Sequence, residues 1–409
     1  MVKIAVLGFG TVGAGVVDVI YDNADIVAKN AADKIEVEYI LDIRDYPDSP
    51  FAGKVIHDFE TIINDDSISV VVETIGGTKP AYEFTKRSLL AGKSVVTSNK
   101  ELVATHGAEL IKIAKENNVN YLFEAAVGGG IPIIRPMAQC LAANRIDEVC
   151  GILNGTTNYI LNRMINAGLS FEKALAEAQE KGYAERNPAA DVEGHDACRK
   201  ICILAALAFG RHVYPEYVKT EGITKITLED VAYAESDDKV IKLLGRARRV
   251  DDKGRAYVFV APHLVSRESP LACVNGVFNS IMVSGNQVDD VMFYGRGAGK
   301  YPTASAVVAD VIDAAKHLNA RKYLSWDDGD ASCVADLSEF KSKYYVRVSG
   351  DNARSAAIDT FGEVKFLSCA DADSNECAFI TDEMTVSELN AKLEKIKNHV
   401  ALLSNMMVL

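Results

Sequence analysis

An aspartate and a lysine one helical turn apart give the strongest chemical signal in the sequence. Asp196 and Lys200 precede the apolar stretch 201–209, which predicts a helix buried over most of its length. Their spacing places both side chains on one face of that helix. Burial lowers the pKa of a lysine and a partner carboxylate raises it, so a lysine in this setting can exchange a proton near neutral pH. An ordinary surface ion pair has the same spacing, and the residues alone leave that alternative open.

A glycine-rich loop near the start of the chain predicts a nucleotide site. The run Gly8-Phe9-Gly10-Thr11-Val12-Gly13 follows an apolar strand and opens a helix, the context that a dinucleotide-binding loop requires. Gly8 allows a tight turn, Gly10 lets a pyrophosphate approach the backbone, and Gly13 lets the helix pack on the strand. Free N–H groups at the helix start attract the phosphates. The alternative is a glycine turn that only joins strand to helix.

The residues after the second strand bear on the choice between NAD and NADP. Asp42 ends this strand and favours a ribose hydroxyl, whereas Arg44 favours a 2′-phosphate. Asp45 and Asp48 add negative charge, which disfavours the phosphate. We therefore predict that NAD+ is used at least as well as NADP+.

Further polar residues follow the next strands, where ligands of parallel sheets bind. Thr74 follows the third strand, and Ser98 and Lys100 follow the fourth. Lys100 is a candidate for holding substrate or nicotinamide ribose, and a surface lysine that starts a helix fits its position equally well. Glu124 and the glycines 128–130 offer oxygen ligands for a hard cation. From the residues alone, a hinge without an ion is the favoured interpretation there.

These side chains need a scaffold, and the order of elements predicts one. Alternating strands and helices over 1–134 predict an α/β unit, a Rossmann doubly wound parallel sheet. Residues 135–299, which begin with a predicted helix, form an α+β catalytic and dimerisation domain on an antiparallel sheet. A helix over 300–320 is expected to return to the first domain. After a linker at 321–343, residues 344–409 follow a β-α-β-β-α-β order, typical of a small ferredoxin-like domain.

Composition excludes several classes of partner. The net charge of −13 argues against nucleic acid, and the basic cluster Arg246, Arg248 and Arg249 is interpreted as a solvated helix end. No apolar run is long enough to span a membrane, and no secretory signal is evident. The 8 cysteines lack a C-x-x-C pair, which favours free thiols in a reducing cytoplasm.

Several blocks of the sequence together resemble the homoserine dehydrogenase family. They are GFGTVG at 8–13, TSNK at 97–100, FEAAVGGGIP at 123–132, GILNGTTNYIL at 151–161, GYAERNPAADVEGHDACRK at 182–200 and GRGAGKYPTAS at 295–305. The resemblance implies the reversible, NAD(P)-dependent interconversion of L-homoserine and L-aspartate 4-semialdehyde, in the biosynthesis of threonine, methionine and isoleucine. It also implies a cytoplasmic homodimer or homotetramer with a small-molecule substrate.

The resemblance further implies roles for individual residues. Lys200 is then the acid–base lysine and Lys100 a second lysine near the reacting oxygen, with the division of proton transfer between them left open. The implied substrate-binding residues are Glu185, Asp196, Asp191 and Thr156. Besides the glycine-rich loop and the strand-end residues, the implied cofactor contacts are Gly182 and Gly297. A sodium-type site, built mainly from carbonyls, is implied at Glu124, Val127, Gly129 and Ile131.

The chain departs from the family pattern in its tail. It is similar to monofunctional members that end in an ACT domain, but the first tail helix is short, and 350–354 replaces the usual Asp-x-Pro-Gly turn. We therefore predict weak or absent inhibition by threonine.

Two rival functions are weighed against this interpretation. An aspartate-semialdehyde dehydrogenase needs a cysteine thiolate beside a base, and Cys140 lies in an apolar pattern with no evident histidine. A non-enzymatic amino-acid sensor would not need Lys100, Glu185, Asp196 and Lys200 intact.

Overall fold

The computed structural model describes residues 1–320, 324–369 and 373–409. The first residues of the predicted linker, 321–323, lie outside the described residues. The described chain builds two sheets, and helices cover both faces of the first. This agrees with the predicted α/β fold class, in which a parallel nucleotide-binding sheet is joined to a second α+β domain. The second sheet was predicted to be antiparallel and is mixed, because it also contains parallel pairs.

Parallel strands form the first sheet. They are β1 (Val2–Leu7), β2 (Ile35–Leu41), β3 (Val55–Ile56), β4 (Ile68–Glu73), β5 (Ser94–Thr97) and β6 (Tyr121–Leu122). Their order is β3-β2-β1-β4-β5-β6. The direction of this order reverses between β1 and β4, so a crevice opens there at the carboxyl ends of the strands. Both strands are buried over almost their whole length, which explains their continuous apolar sequences.

Helices on the two faces of this sheet set the first elements of the site. They are α1 (Thr11–Asp22), α2 (Ala24–Ala31), α3 (Glu60–Ile63), α4 (Ala81–Leu90) and α5 (Lys100–Glu116). Helix α5 begins at Lys100 because the Asn99 side chain accepts a hydrogen bond from the Leu102 N–H and caps the helix there. This cap brings Lys100 to the end of β5.

The second domain combines helices with long antiparallel strands. Its helices are α6 (Gly155–Ala167), α7 (Phe171–Glu180), α8 (Ala189–Val192), α9 (His195–Phe209) and α10 (Leu228–Glu235). Its strands are β7 (Ile146–Ile152), β8 (Lys219–Thr220), β9 (Lys239–Arg249), β10 (Ala256–Ser266), β11 (Phe278–Gly285) and β12 (Asp289–Arg296). Helix α9 is buried on nearly every side and lies across β9 and β10. The apolar run after Lys200 is therefore the core of this domain.

The next helix, α11 (Lys300–Lys316), packs back on the nucleotide-binding sheet. Its Ala304, Val307 and Val311 lie in one apolar cluster with Val16 and Val17 of α1. The chain thus crosses between the two domains at both ends of the second one. Side chains from each domain can therefore meet in one cleft.

The basic cluster was wrongly interpreted as a solvated helix end. Arg246, Arg248 and Arg249 belong to strand β9, and Arg246 is buried. Its guanidinium donates to Glu148 on the neighbouring strand β7 at 2.8 Å and lies over the Phe259 ring. A partner 98 residues away neutralises this charge, so the local sequence gave no sign of burial.

The helix predicted at the start of the second domain is present but short. Residues 134–140 are helical, and Pro136–Cys140 form a π-helical turn. The Glu124 carboxylate accepts the N–H groups of Ile133, Ile134 and Arg135 and so stabilises the start of this helix.

The tail forms a small α+β unit whose sheet continues that of the second domain. Its elements are β13 (Lys341–Ser349), α12 (Ala353–Phe361), β14 (Lys365–Phe366), β15 (Glu376–Ile380), β16 (Met384–Thr385), α13 (Val386–Ile396) and β17 (Ala401–Val408). The joined sheet has 11 strands, in the main order β12-β11-β7-β9-β10-β17-β13-β15-β14. Strand β17 pairs with β10 of the second domain on one side and β13 on the other. The assignment of this unit as an ACT domain stays a prediction.

A buried polar cluster reinforces the junction between tail and second domain. Asp230 of α10 is fully buried and accepts the Tyr345 hydroxyl at 2.9 Å. The Arg347 guanidinium lies 3.1 Å from the same carboxylate. Both tail residues lie on β13, so the tail supplies the partners of one carboxylate oxygen, while Thr227 of the second domain donates to the other.

Among the described residues, no helix has both the length and the apolar character needed to cross a membrane.

Candidate active site

A cavity of about 550 Å³ lies between the glycine-rich loop and the second domain. It brings together predicted site residues from both domains. Those lining it are Thr11, Val12, Ser98, Lys100, Gly129, Thr156, Gly182, Glu185, Asp191, Asp196, Lys200 and Gly297. Cys140, the thiol considered for the rival dehydrogenase, does not line it. The residues with predicted catalytic or substrate roles thus line one cavity.

A second cavity of about 430 Å³ lies on the other side of the glycine-rich loop. Of the predicted cofactor residues, it is lined by Gly8, Gly10, Asp42, Arg44 and Thr74. The two cavities flank the N-terminus of α1, so an extended dinucleotide could reach from one to the other across it. Gly13 and the predicted cation residues Glu124, Val127 and Ile131 line neither cavity.

Two lysines share one buried carboxylate at the centre of the larger cavity. Lys200 Nζ lies 2.7 Å from Asp196 Oδ2 and also donates to the Leu153 carbonyl at 2.7 Å. Lys100 Nζ lies 2.5 Å from the other oxygen, Oδ1. Helix α9 supplies the aspartate and the first lysine, one turn apart, and the capped start of α5 supplies the second. Each oxygen of the carboxylate therefore faces its own ammonium group.

This arrangement displaces the pKa values of the two lysines in opposite directions. Burial lowers the pKa of Lys200, Asp196 opposes the fall, and the positive charge of Lys100 adds to it. Burial also opposes the charge on Lys100, but attraction to Asp196 outweighs it and raises the pKa. Burial works against ionisation of Asp196, yet the two ammonium groups hold its pKa well below the usual value. Lys200 is thus the lysine that loses its proton more readily.

One residue of this cluster, Asn154, was not predicted from the sequence. Its Nδ2 donates to Asp191 Oδ1 at 2.7 Å and to Asp196 Oδ2 at 2.9 Å. Its Oδ1 accepts the Thr157 N–H at 2.9 Å, which caps helix α6. An asparagine directly before Gly155-Thr156-Thr157 is a recognisable helix-capping signal, but only the fold shows where the other end of the amide points.

A loop between α7 and α8 forms the outer wall of the cavity. Thr156 is buried and its hydroxyl donates to the Tyr183 carbonyl at 2.7 Å. Gln179 Nε2 donates to the Glu185 carbonyl at 3.0 Å. The Glu185 side chain itself is exposed at the mouth of the cavity. The loop therefore places an exposed acidic group over the buried Asp196 and Lys200.

The glycine-rich loop has the geometry that a pyrophosphate requires. Gly8 adopts φ +90°, a conformation that favours glycine, and a Cβ on Gly13 would lie 1.9 Å from the Gly8 carbonyl oxygen. A Cβ on Gly10 would meet nothing within 4 Å, so open space lies beside the loop. No side chain caps the N-terminus of α1. Its N–H groups therefore remain for phosphate oxygens, and the residues present fit the cofactor.

The acidic residue after the second strand is held against this loop. Asp42 Oδ2 accepts the Phe9 N–H at 2.7 Å and the Tyr46 hydroxyl at 3.0 Å. Its Oδ1 accepts the Arg44 N–H at 3.0 Å, while most of the Arg44 side chain is exposed. Burial opposes the charge, but these hydrogen bonds lower the pKa of Asp42 below its usual value. An ionised carboxylate is thus fixed at the wall of the second cavity.

The predicted cation residues form a buried turn rather than a cluster of acids. The Glu124 carboxylate is occupied by backbone N–H groups, and Asp310 of α11 accepts the Glu124 N–H at 2.8 Å. The Gly128 carbonyl accepts the Ile131 N–H at 2.9 Å. Within the described part of the chain, no three His, Cys, Asp or Glu side chains stand close enough to hold a metal ion. Any cation here would be bound by main-chain carbonyls.

Comparison with known protein families gives two matches that together cover most of the chain. A family model for homoserine dehydrogenase matches residues 132–312. A model for the homoserine dehydrogenase NAD-binding domain matches residues 8–124. The boundary between the matches falls in the glycine-rich turn that connects the two domains.

Individual proteins and solved structures agree with these matches. The homoserine dehydrogenase of Synechocystis is 44% identical over 315 residues, which cover 76% of this chain and 73% of that protein. A homoserine dehydrogenase structure from Thiobacillus denitrificans has a TM-score of 0.89 at 34% identity and covers 100% of this chain and 98% of its own. A hyperthermophilic archaeal homoserine dehydrogenase in complex with NADPH has a TM-score of 0.66 at 28% identity, covering 76% of this chain and 97% of its own.

Proposed function

The chain belongs to the homoserine dehydrogenase family, whose reaction is the NAD(P)-dependent interconversion of L-homoserine and L-aspartate 4-semialdehyde, and we propose how its residues carry that reaction out. The proposal rests above all on the sharing of Asp196 by Lys100 and Lys200 inside the cavity beside the glycine-rich loop. When bound, the nicotinamide supplies the hydride acceptor for alcohol oxidation.

Lys200 is proposed as the group that moves the proton. Oxidation of the homoserine hydroxyl needs a base, and in the reverse direction the same group must protonate the developing alkoxide. Burial lowers the pKa of Lys200 and so increases its neutral fraction at a given pH. When Lys200 gives up its proton, Asp196 keeps a cationic partner in Lys100. The buried carboxylate is therefore never left without a counter-charge, which would be costly.

Lys100 is proposed to stay charged throughout the reaction. Asp196 raises its pKa, so Lys100 is a poor base but a lasting source of positive charge. A fixed ammonium group next to the reacting oxygen stabilises a developing alkoxide. The two lysines thus have separate tasks, one in proton transfer and one in electrostatic stabilisation.

Three carboxylates that line the cavity are proposed to hold the amino group of the substrate. Asp191 and Asp196 face the cavity from the floor, and Glu185 faces it from the outer loop. Homoserine carries an α-ammonium group, whose donors match carboxylate oxygens. Thr156 lies at the start of α6, where backbone N–H groups suit the substrate carboxylate.

The cofactor is proposed to lie across the N-terminus of α1, with its nicotinamide toward Ser98, Gly182 and Gly297 and its adenosine toward Asp42 and Arg44. The NADPH named for the archaeal relative supports an NAD(P) cofactor here by analogy. A sodium-type ion is proposed at the carbonyls of Glu124, Val127, Gly129 and Ile131, where it would brace the connection between the domains.

Oligomeric state and location are proposals as well. Strand β12 stands at one end of the large sheet and exposes Met292 and Tyr294, which supports a homodimer or homotetramer formed through this sheet. The 8 cysteines are all free thiols, which supports a reducing compartment such as the cytoplasm.

Steady-state kinetics with Lys200→Ala and Lys100→Ala tests the division of labour. Lys200→Ala is expected to cut homoserine-dependent reduction of NAD+ and NADP+ by about 10²- to 10⁴-fold. A fluorescence titration should show NADH binding nearly unchanged, because the cofactor loop lies elsewhere. If Lys200→Ala keeps more than about a tenth of wild-type turnover, proton transfer belongs to another group, with Lys100 the first to test.

A further inference from the structure

We propose that Asn154 is a positioning residue that holds Asp191 and Asp196 in place for the substrate. This inference rests on the proposed function only in taking those carboxylates as substrate ligands. Asn154 joins three elements, because it caps α6, reaches Asp191 in α8 and reaches Asp196 in α9.

The two ends of the Asn154 amide have different partners, and this fixes its orientation. Oδ1 accepts the Thr157 N–H, which can only donate. The other end must therefore be the NH₂ group, whose two hydrogens suit the two carboxylate oxygens at 2.7 and 2.9 Å. The amide is buried, and α6 holds it in place. The link between the carboxylates is thus a rigid part of the fold.

The two carboxylates need such a link because their charges repel one another. Asp196 is compensated by Lys200 and Lys100, one on each oxygen. Asp191 also faces these lysines, but more distantly, and within the described part of the chain it forms no ion pair with either. Glu185 adds a further acidic group at the mouth of the same cavity. Asn154 supplies Asp191 with a fixed hydrogen-bond donor.

The effect on protonation follows from the same contacts. Burial and repulsion from Asp196 raise the pKa of Asp191, while hydrogen bonds from Asn154 and Thr156 and attraction to Lys200 lower it. Without the Asn154 donor, the carboxyl group would take up a proton at a higher pH. A protonated Asp191 cannot pair with the substrate ammonium group, so homoserine binding would weaken on the acidic side.

The test separates the donor function of the amide from its capping function. Asn154→Ser keeps a good helix cap and removes the donor to both carboxylates, whereas Asn154→Ala removes both. We expect Asn154→Ser to raise the KM for homoserine about tenfold with a smaller effect on kcat. The pH below which the KM for homoserine rises should move about one unit upward. NADH binding and Tm should stay near the wild-type values.

Other outcomes overturn the inference. If Asn154→Ser has a wild-type KM and pH profile while Asn154→Ala is impaired, Asn154 is only a helix cap. If neither variant raises the KM for homoserine or shifts its pH dependence, the bridge has no role in substrate binding.

A third variant covers the case in which Asn154→Ser does not fold. Asn154→Asp also caps a helix, but it replaces the donor by an acceptor, and it should raise the KM further. A wild-type KM in this variant would contradict the proposal. Failure of the proposed function would look different, because it would show as wild-type turnover in Lys200→Ala, whatever the Asn154 variants do.

Discussion

At the scale of single residues, the site depends on one carboxylate that serves two ammonium groups. Asp196 is buried, and each of its oxygens faces a different lysine. A buried acid with one lysine would be left uncompensated whenever that lysine became neutral. The second lysine removes this obstacle, and it also lowers the pKa of the first by repulsion. Charge balance and proton transfer are therefore coupled.

This coupling predicts a shift in pH dependence when Lys100 is replaced. Oxidation needs neutral Lys200, so its rate should rise with pH as that lysine deprotonates. In Lys100→Met the repulsion that lowers the pKa of Lys200 is gone, so that pKa rises and the ascending limb should move to higher pH, by about one unit or more. The measurement is kcat against pH with homoserine and NAD+.

A control variant lies on the same helix. Lys112 is exposed on α5, away from the cavity, and Lys112→Met should leave the limb unmoved. A limb that stays in place in Lys100→Met would mean that the two lysines do not interact through Asp196.

Most residues of this cluster could be named from the sequence, but their connections could not. The four-residue spacing predicted the Asp196–Lys200 pair, and that pair is seen. Lys100 lies 96 positions away from Asp196 in the chain, so their contact depends on how α5 and α9 cross. Asn154 was missed because its local pattern is fully explained as a helix cap.

At the scale of elements, the turn from β1 into α1 contains glycines that serve two different purposes, packing and ligand binding. Gly13 is needed by the fold, because a Cβ there would lie 1.9 Å from the Gly8 carbonyl oxygen. Gly10 faces open space, where a Cβ would meet nothing within 4 Å. Its absence of a side chain therefore matters for the ligand rather than for packing.

Two alanine variants should separate these uses. Gly13→Ala should lower Tm by several degrees, whereas Gly10→Ala should leave Tm unchanged and weaken NADH binding about tenfold or more by crowding the pyrophosphate. Gly53→Ala is the matched control, since its Cβ also meets nothing within 4 Å and it lies in neither cavity. Thermal melts and NADH titration decide the matter. Wild-type affinity in Gly10→Ala would place the pyrophosphate elsewhere.

The end of β2 bears on cofactor preference. Asp42 is fixed beside the loop as an ionised acid, which favours a ribose hydroxyl, while Arg44 is largely exposed and pairs with Asp42 only through Nε, so its terminal nitrogens can meet a phosphate. We expect NAD+ to be used at least as well as NADP+, and Arg44→Ala to lower kcat/KM for NADP+ more than for NAD+. A preference for NADP+ greater than about tenfold in the wild type would contradict this.

The structure adds His57 to this corner of the cofactor site. Its ring nitrogens lie 2.7 Å from the Asp42 carbonyl oxygen and 3.0 Å from Asp45 Oδ1, and these contacts raise its pKa. Because both neighbouring atoms are hydrogen-bond acceptors, the His57 ring donates to both of them only when it is protonated. His57 could not be identified from the sequence, because it follows β3, a strand of only two residues that no sequence pattern predicts.

At the scale of the whole molecule, the tail is built into the second domain. The predicted β-α-β-β-α-β order is present, but its last strand lies between β10 and β13. Sequence patterns identify strands but not their neighbours, so this continuity could not be foreseen. Weak or absent inhibition by threonine remains a prediction for this tail.

The junction should matter for stability. Asp230 is fully buried and depends on Arg347 and Tyr345 of the tail. Arg347→Met would leave the acid without its ion pair, and we expect a loss of about 3–5 kcal/mol in unfolding free energy. The double variant Asp230→Asn with Arg347→Met should recover part of the loss, because the buried charge is gone. Equal melting curves for wild type and Arg347→Met would show that the pair contributes nothing.

The place of β17 in the large sheet has a consequence for synthesis on the ribosome. This strand, Ala401–Val408, follows every other strand in the chain but lies in the interior of the sheet. While it is still inside the exit tunnel, β10 and β13 lack the partner that β17 provides between them. The nucleotide-binding domain can fold before that point, whereas the large sheet is completed only when β17 has emerged. Nascent chains stalled just before β17 would therefore carry open strand edges, the surfaces that chaperones must shield from aggregation.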